Sequence, residues 1–278
     1  MIISRTPFRI SFFGGGTDFP GHYLHHGGTV LATAIDQYCY LSIHRLSAFF
    51  KHRFRASYAK TESVVRPEDF QHPLIRECLL YLRFSEGLEI SHVADLPGRT
   101  GLGTSSSFTV GLLHALHAYR NEPVSPGQLA REAIEVERER VGDGGGHQDQ
   151  FAAAFGGFVR ITFCTDGQVD VMPLDLPDER WRALHEHLLL FYTGISASAA
   201  SVVSAQTSQI GQNEFRLRRM HELTAEAEEL LCSRNDIDGF GELLHQTWIE
   251  KKALANGVSN STIDARYEAA RRAGALGG

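Results

Sequence analysis

The most constraining stretch of the sequence is rich in glycine and hydroxyl residues and reads Pro97-Gly98-Arg99-Thr100-Gly101-Leu102-Gly103-Thr104-Ser105-Ser106-Ser107. An apolar run from Phe108 to Leu116 follows it and is long enough for a buried helix. Glycine allows a sharp turn and a close backbone approach, and the first-turn amides of a helix have no partner inside the helix. The stretch therefore predicts a loop that holds phosphate at a helix N-terminus.

The order of these residues excludes two common phosphate loops. A Walker loop ends in Gly-Lys-Ser/Thr, and no lysine occurs in this stretch. The Gly-x-Gly-x-x-Gly pattern of dinucleotide sites is absent from it as well. A glycine- and serine-rich surface loop that merely precedes a helix is the alternative interpretation.

The composition is that of an ordinary globular protein, because 42% of the 278 residues are hydrophobic and 22% are charged. A formal net charge of -6 gives no reason to expect nucleic acid, and no run approaches the ~18 apolar residues that span a membrane. The N-terminus lacks the layout of a signal peptide, so we expect a cytoplasmic protein. Four cysteines without a Cys-x-x-Cys pair indicate neither a zinc site nor a disulfide framework.

A second glycine-rich turn lies near the N-terminus. Residues 2–13 carry β-branched and aromatic side chains and predict one bent strand or two short ones, which end at Gly14-Gly15-Gly16. Arg9 in this region needs a carboxylate or phosphate nearby, because an unpaired buried cation is costly. Arg9 and Asp18 therefore bracket a candidate pocket, unless the segment is a surface strand with an Asx-type turn.

Two groups of basic or titratable residues follow this turn. Strands are predicted from Gly28 to Ile35 and from Tyr38 to Arg45. Histidines precede them, and we expect hydrogen bonding rather than metal ligation because no carboxylate or cysteine stands at a ligand spacing from His22, His25 and His26. A local basic set is either a solvated strand face or a receptor for an anionic substrate group, and comprises Lys51, His52, Arg53, Arg55 and Lys60.

A further glycine-rich loop, at residues 142–146, precedes Asp149. The helix before it is predicted to run to about Arg140 and carries four glutamates, most of which form a solvated face. An acid at the end of such a loop is placed where partial burial and backbone donors could make it a base. The alternative is that Asp149 is a helix N-cap.

From Phe158 the pattern of the sequence changes. Strands are predicted from Phe158 to Phe163, from Gln168 to Met172 and from His187 to Tyr192, and long amphipathic helices follow. The sequence therefore predicts two domains, residues 1–160 and residues 161–278.

The glycine-rich motifs, in this order, resemble those of the GHMP small-molecule kinases. The stretch from Pro97 to Ser106 is similar to the second motif of that superfamily, and the segment around Asp149 is similar to the catalytic-aspartate region of galactokinase-like enzymes. The opening segment and the phosphate loop look closest to D-glycero-D-manno-heptose 7-phosphate kinases. True galactokinases have Glu-His where this chain has Gly15-Gly16, which argues against galactose.

The resemblance implies an α+β fold of two domains, with substrates meeting in the cleft between them. The N-terminal domain would be ribosomal protein S5 domain 2-like, and the C-terminal domain would be ferredoxin-like. The third motif of the superfamily, a C-terminal glycine-rich loop, is missing because the chain stops at Gly278. We therefore expect the second domain to be truncated and incomplete.

The resemblance also implies the roles of individual residues. Asp149 would take the anomeric proton while Arg9 stabilises negative charge. Mg²⁺ would be bound by Ser105 and Glu137, with Glu139 as the second choice. The ATP phosphates would be held by Pro97, Gly101, Leu102, Gly103, Thr104, Ser105, Ser106 and Ser107. The sugar would contact Asp18, Thr17, Gly15, Gly16 and His22.

The predicted function is an ATP-dependent sugar 1-kinase that phosphorylates the anomeric hydroxyl of D-glycero-D-manno-heptose 7-phosphate for nucleotide-heptose and surface-glycan synthesis. The alternatives are a 1-kinase for a fucose-like sugar and a non-catalytic sugar sensor. Asp149, Arg9 and Ser105 together disfavour the sensor, because pure binding needs no proton acceptor. We expect the protein to bind ATP and a sugar phosphate, and neither nucleic acid nor a membrane. We expect it to be a monomer or a homodimer.

Overall fold

The computed structural model describes residues 1–98, 100–194, 199–233 and 236–278. The chain forms two compact units, of which the first contains Met1–Ile10 and Ala34–Gly157 and the second contains Ser11–Thr33 and Phe158–Gly278. Residues 11–33, which the sequence assigned to the first domain, are thus grouped with the second unit. Both units contain strands and helices, as expected for the predicted α+β class.

The secondary structure elements are as follows. The strands are β1 (Ile2–Phe13), β2 (Gly28–Arg45), β3 (Phe54–Ser57), β4 (Thr61–Val64), β5 (Leu88–Ala94), β6 (Phe158–Phe163) and β7 (Val169–Pro173). The helices are α1 (Pro20–His26), α2 (Pro73–Tyr81), α3 (Thr104–Tyr119), α4 (Pro126–Ile134), α5 (Gln148–Phe155), α6 (Asp178–Glu186), α7 (Ala199–Ser208), α8 (Glu214–Cys232), α9 (Asp238–Lys252) and α10 (Ser261–Arg272). A π-helical turn, Glu135–Arg140, continues α4. In the described part of the chain, no helix is both long and apolar enough to cross a membrane.

The first unit is built on the second half of β2. This half pairs antiparallel with β5, so that Cys39 lies opposite Ala94 and Arg45 opposite Leu88. Strand β3 is parallel to β5 and antiparallel to β4. Helix α3 is apolar on nearly all sides and is buried in the core of the unit, as expected for a helix without a polar face. The core includes Leu41, Ile43, Leu79, Leu112, Leu113 and Leu116.

The second unit uses the first half of β2. Gly28 lies opposite Phe163 in an antiparallel pair with β6, and β6 in turn pairs antiparallel with β7. Helix α9 contacts β1 through Phe240, whose ring centroid lies 5.5 Å from that of Phe12 and 5.1 Å from that of Phe13. Helix α8 contributes Leu217 and Met220 to a small apolar cluster.

Two of the strand predictions were wrong. The segments from Gly28 to Ile35 and from Tyr38 to Arg45 form one strand of 18 residues, because each half has its own partner strand and no turn is needed between them. Residues 187–192 follow α6 without forming a strand. Leu189 and Phe191 are 80% and 74% exposed, so no described strand pairs with this apolar segment and buries it.

Gly111 marks a close contact between α3 and β1. A Cβ atom at Gly111 would lie 2.6 Å from Thr6 Oγ1. Gly111→Ala should therefore lower the free energy of unfolding by about 1–3 kcal/mol, because the packed neighbours must shift. In an unhindered helix interior the same change is stabilising. Chemical denaturation measures the difference.

Gly127→Ala is the matched control for this prediction. The nearest atom to a Cβ at Gly127 is a guanidinium nitrogen of Arg131 at 3.6 Å, which is an ordinary contact. The free energy of unfolding of this variant should stay the same or rise. A Gly111→Ala variant as stable as Gly127→Ala would contradict the packing of α3 on β1.

Candidate active site

The predicted phosphate loop leads directly into the N-terminus of α3, as the sequence predicted. Gly101 and Gly103 have φ of +80° and +73°, in the left-handed region that favours glycine. A Cβ atom on Gly103 would lie 3.1 Å from Cγ of Arg9. At Gly101, none of the described residues places a heavy atom within 4 Å of an added Cβ. Gly103 thus permits the approach of Arg9, and the loop is open at Gly101.

Arg9 connects β1 to two other parts of the first unit. Its Nε and Nη2 atoms donate to Oδ1 of Asp149 at 2.8 Å and 2.7 Å. Its Nη1 atom donates to the carbonyl of Gly101 at 2.8 Å, and its backbone N–H donates to that of Leu102 at 3.1 Å. The side chains of Arg9 and Asp149 are 12% and 24% exposed. The expectation of a carboxylate partner for Arg9 is confirmed, and that partner is Asp149.

Asp149 lies in the first turn of α5, and the glycine-rich loop before it is held by Arg138. The Nη1 atom of Arg138 donates to the carbonyls of Asp143 and Gly144, both at 3.1 Å, and its Nη2 atom donates to that of Gly146 at 2.8 Å. The sequence analysis missed Arg138 because it interpreted the charges of this helix as a solvated face. The carbonyls of a glycine-rich loop need donors, which is the signal that could have pointed to it.

Glu137 lies in the π-helical turn and is only 1% exposed. Its carboxylate accepts hydrogen bonds from Ser105 Oγ at 3.0 Å, from Ser106 Oγ at 2.8 Å, from Thr109 Oγ1 at 2.8 Å and from Gln150 Nε2. The structure therefore brings together Ser105 and Glu137, the two residues predicted to bind Mg²⁺. Glu139, the second choice, is exposed, so the geometry favours Glu137.

Burial raises the pKa of Glu137 above its ordinary value of 4.5, although Arg138 and the hydrogen bonds from Gln150, Thr109 and Ser106 act in the opposite direction. A bound divalent cation favours the ionised form of such a carboxylate.

Two of the residues that donate to Glu137, Thr109 and Gln150, were not predicted from the sequence. Thr109 lies one helical turn after Ser105, and this spacing could have indicated that both hydroxyls share a face.

The predicted phosphate ligands differ in what they can offer. The Ser107 Oγ donates to the carbonyl of Pro7 at 2.7 Å and the Ser107 N–H donates to that of Gly103 at 2.9 Å, so the geometry does not favour Ser107 as a phosphate ligand. Ser105 is exposed, Leu102 packs against the core, and Pro97 is exposed before the loop. Thr100, which was not predicted, has a buried hydroxyl without a hydrogen-bond partner among the described residues.

The second unit contains the residues predicted to bind the sugar. Asp18 is fully buried, and its Oδ1 atom accepts a hydrogen bond from Gly16 N–H at 2.8 Å. Thr17 is also fully buried, and its hydroxyl lies 2.8 Å from the Gly14 carbonyl, to which it donates, and 3.2 Å from Thr29 N–H. Backbone groups of the turn thus occupy the Thr17 hydroxyl, and the sugar contacts predicted for Thr17 and Asp18 stay predictions.

His22 is buried in the same unit, and neither ring nitrogen has a hydrogen-bond partner among the described residues. Burial, followed by the neighbouring His26 and His221, lowers the pKa of His22 to about 4. His22 is therefore neutral near pH 7 and cannot supply a positive charge to a substrate. The described residues contain no group of three or more His, Cys, Asp or Glu side chains that could hold a metal ion.

The local basic set lies on and around β3 in the first unit. Arg55 forms an ion pair with Glu89 at 2.5 Å, and Lys60 donates to Gln71 Oε1 at 2.6 Å. Arg53 donates to the carbonyl of Ser85. These contacts favour the interpretation of the set as a solvated strand face.

Two interpretations of the loop remain, a phosphate loop and a surface loop that merely precedes a helix, and comparison with known proteins favours one of them. Residues 73–157 match the family described as the GHMP kinases N terminal domain. Within this range the chain resembles a GHMP kinase N-terminal domain. The matched range includes the phosphate loop, Glu137 and Asp149. The match favours a phosphate loop over a surface loop that merely precedes a helix for the stretch from Pro97 to Ser107.

Similar proteins extend this finding to the rest of the chain. A D-glycero-alpha-D-manno-heptose 7-phosphate kinase from Campylobacter jejuni is 28% identical over 288 residues, an alignment that covers 100% of this chain and 85% of that protein. An L-fucokinase/L-fucose-1-P guanylyltransferase from Bacteroides fragilis is 27% identical over 195 residues, which cover 66% of this chain but only 20% of that protein. The match therefore spans about a fifth of that relative.

Solved structures show the same GHMP kinase fold. The structure of a D-glycero-D-manno-heptose 1-phosphate kinase from Bacteriodes thetaiotaomicron superimposes with a TM-score of 0.79 at 23% identity, covering 100% of this chain and 84% of that one. At this identity the likeness concerns the fold. Together, the matched domain and the Campylobacter jejuni relative support the predicted superfamily and the predicted enzyme class, an ATP-dependent carbohydrate kinase.

Glu137→Gln tests the cost of burying an ionised carboxylate. Because folding raises the pKa of Glu137, the stability contributed by its protonated form is present below pH 4.5 and is lost as the pH rises through the raised pKa. In metal-free protein, the free energy of unfolding of Glu137→Gln relative to the parent should therefore increase as the pH rises above 4.5. Urea denaturation over a pH series measures this difference.

Glu139→Gln is the matched control in the same helical turn. Its side chain is exposed, so its removal should leave the pH dependence of the parent unchanged. Identical pH profiles for the parent and Glu137→Gln would contradict the burial of this carboxylate.

Proposed function

We propose that this protein transfers the γ-phosphoryl group of ATP to the anomeric hydroxyl of D-glycero-D-manno-heptose 7-phosphate. The observation that carries the proposal is the contact of Arg9 with both Asp149 and the phosphate loop in the first unit. This contact supports a mechanism in which a carboxylate accepts the proton beside a loop with the properties of a phosphate cradle. The choice of sugar is supported by the Campylobacter jejuni relative.

The loop residues fit the phosphates of ATP. The amides of Thr104, Ser105 and Ser106 belong to the first turn of α3, where backbone N–H groups and the helix dipole attract anions. The open side at Gly101 leaves space for a phosphate, and the buried hydroxyl of Thr100 lacks the partner that a phosphate oxygen would provide. Ser107 is not part of the proposed cradle.

Ser105 and Glu137 fit a magnesium ion by their chemistry. Both offer oxygen ligands, which Mg²⁺ prefers, and their side-chain oxygens lie 3.0 Å apart. When bound, Mg²⁺ supplies positive charge to the phosphate oxygens during transfer. Ser106, Thr109 and Gln150 would keep the carboxylate of Glu137 oriented by donating hydrogen bonds to it.

Asp149 is the proposed proton acceptor. The anomeric oxygen forms a bond to the γ-phosphorus, the bond from that phosphorus to the bridging oxygen breaks, and the hydroxyl proton passes to Asp149. Both contacts of Arg9 fall on Oδ1, so we assign Oδ2 as the accepting atom. Arg9 would keep Asp149 in position and place a positive charge beside the developing negative charge.

The product of this reaction is an anomeric sugar phosphate. Such a compound is the form in which a sugar can be joined to a nucleotide, so we propose that the enzyme supplies nucleotide-heptose for surface glycans. We propose that the reaction takes place in the cytoplasm.

A 1-kinase for a neutral, fucose-like sugar is the second candidate function. It is supported by the Bacteroides fragilis relative and by the state of the predicted cations, because His22 is neutral and Arg55 is paired with Glu89. ADP release should be measured with heptose 7-phosphate, unphosphorylated heptose and L-fucose. We expect the highest kcat/KM with heptose 7-phosphate.

The same measurement separates the alternatives. An equal kcat/KM with phosphorylated and unphosphorylated heptose would favour the neutral-sugar kinase instead. Sugar binding without ADP release from any of the three would indicate the non-catalytic sensor.

Asp149→Asn should lower kcat by about 10² or more, because an amide cannot accept the hydroxyl proton. The affinity for ATP should be nearly unchanged, since the loop residues bind the phosphates. Steady-state kinetics and nucleotide-binding calorimetry measure the two effects.

Asp143→Asn is the matched control, because Asp143 is exposed in the preceding glycine-rich loop and contacts Arg138 through its backbone carbonyl. Full turnover by Asp149→Asn would remove Asp149 from the mechanism.

A further inference from the structure

The peptide bond between Gly15 and Gly16, in the second unit, is held by a charged side chain at each end. Its carbonyl accepts a hydrogen bond from Lys251 Nζ at 2.6 Å, and its N–H donates to Asp18 Oδ1 at 2.8 Å. Hydrogen bonds to charged groups are stronger than those between neutral groups. An ammonium on the oxygen and a carboxylate on the N–H together stabilise one orientation of this peptide.

Because Gly15 and Gly16 are flexible, this peptide needs the two hydrogen bonds to keep one orientation. A peptide between residues without Cβ atoms has access to backbone conformations that other residues avoid, and Gly16 adopts one of these with φ of +115°. Helix α8 backs the turn, since a Cβ atom on Gly16 would lie 3.2 Å from Leu217 Cδ2. Packing limits the space around Gly16, and the hydrogen bonds of Lys251 and Asp18 distinguish the two ends of the peptide.

Lys251 occupies the last turn of α9, where a cation also interacts favourably with the helix dipole. Asp18 is fully buried, so the loss of a donor to its carboxylate would be costly. If the peptide rotated, the N–H of Gly16 would turn away from the carboxylate of Asp18. The carbonyl oxygen of Gly15, which cannot donate a hydrogen bond, would take its place. The orientation of Asp18 therefore depends on Lys251 through the intervening peptide.

We infer that Lys251 is a positioning residue for the sugar site, acting on the substrate through Asp18. The inference rests on the proposed function and on the sugar contact that the resemblance implies for Asp18. It explains why a lysine of α9 is directed at a glycine-rich turn 236 residues earlier in the chain. It also assigns a role in substrate recognition to a residue that would not itself contact the substrate.

Kinetics of Lys251→Met test the inference. The KM for the sugar should rise about tenfold, because Asp18 loses its fixed orientation, while the KM for ATP stays at the parental value. Lys251→Arg should restore most of the sugar affinity, since a guanidinium also donates to a carbonyl. Lys252→Met is the matched control, because Lys252 is paired with Asp264 at 2.8 Å, and it should leave both KM values unchanged.

The double variant Asp18→Asn/Lys251→Met shows whether Lys251 acts through Asp18. If it does, the KM of the double variant for the sugar equals that of Asp18→Asn alone, because residues in one network are not additive. Two effects that multiply, or a Lys251→Met variant with the parental KM, would overturn the inference. Thermal denaturation of each variant verifies that it is folded.

A structural readout separates this inference from the proposed function. Crystal structures of the parent and of Lys251→Met show directly whether Gly16 N–H still donates to Asp18. Loss of that hydrogen bond in the variant supports the inference even if the parent releases no ADP with any sugar, a result that would contradict only the proposed function. Retention of the hydrogen bond overturns the inference whatever the parent's activity.

Discussion

Arg9 is a cation with only 12% of its side chain exposed, and the geometry of the first unit depends on how its charge is compensated. A buried guanidinium without partners is costly, and removing one partner of a buried ion pair leaves the other charge uncompensated. Arg9 therefore requires Asp149 on one side and the carbonyl of Gly101 on the other. The strand, the phosphate loop and the start of α5 are thus held together by one side chain.

Glu137 introduces a second unfavourable charge into the same unit. Four side-chain donors surround its carboxylate, yet burial still raises its pKa. A buried carboxylate with a raised pKa is typical of a functional site, where residues needed for function lower the local stability. It lies in a π-helical turn, a distortion that is frequent at functional sites.

The sequence predicted those features of the site that depend on local chemistry. The glycine and hydroxyl residues of the phosphate loop, the helix that follows it and the need of Arg9 for a carboxylate all follow from neighbouring residues or from the cost of burial. The rotation of each side chain about α3 could not be predicted in the same way. Ser105, Ser106 and Ser107 are consecutive in the chain, but Ser105 is exposed while Ser107 is turned toward the carbonyl of Pro7.

Contacts between distant residues were the other limit of prediction from sequence. Nothing near Lys251 in the sequence indicates that it would donate to a carbonyl of a glycine-rich turn 236 residues earlier. Strand β2 was divided in two because Asp36 and Gln37 are polar, whereas the pairing of each half with a separate strand keeps it continuous. Such partners are set by tertiary structure, which overrides local preference in strands.

The central claim is that Asp149, Arg9 and the phosphate loop transfer a phosphoryl group to an anomeric oxygen. Phosphorus NMR of the products formed from ATP, Mg²⁺ and heptose 7-phosphate tests it most directly, because the coupling of the new phosphate to the sugar identifies the esterified carbon. The account predicts one new ester, on the anomeric carbon, formed in step with ADP. Inorganic phosphate as the only new product, or an ester at any other carbon, would contradict it.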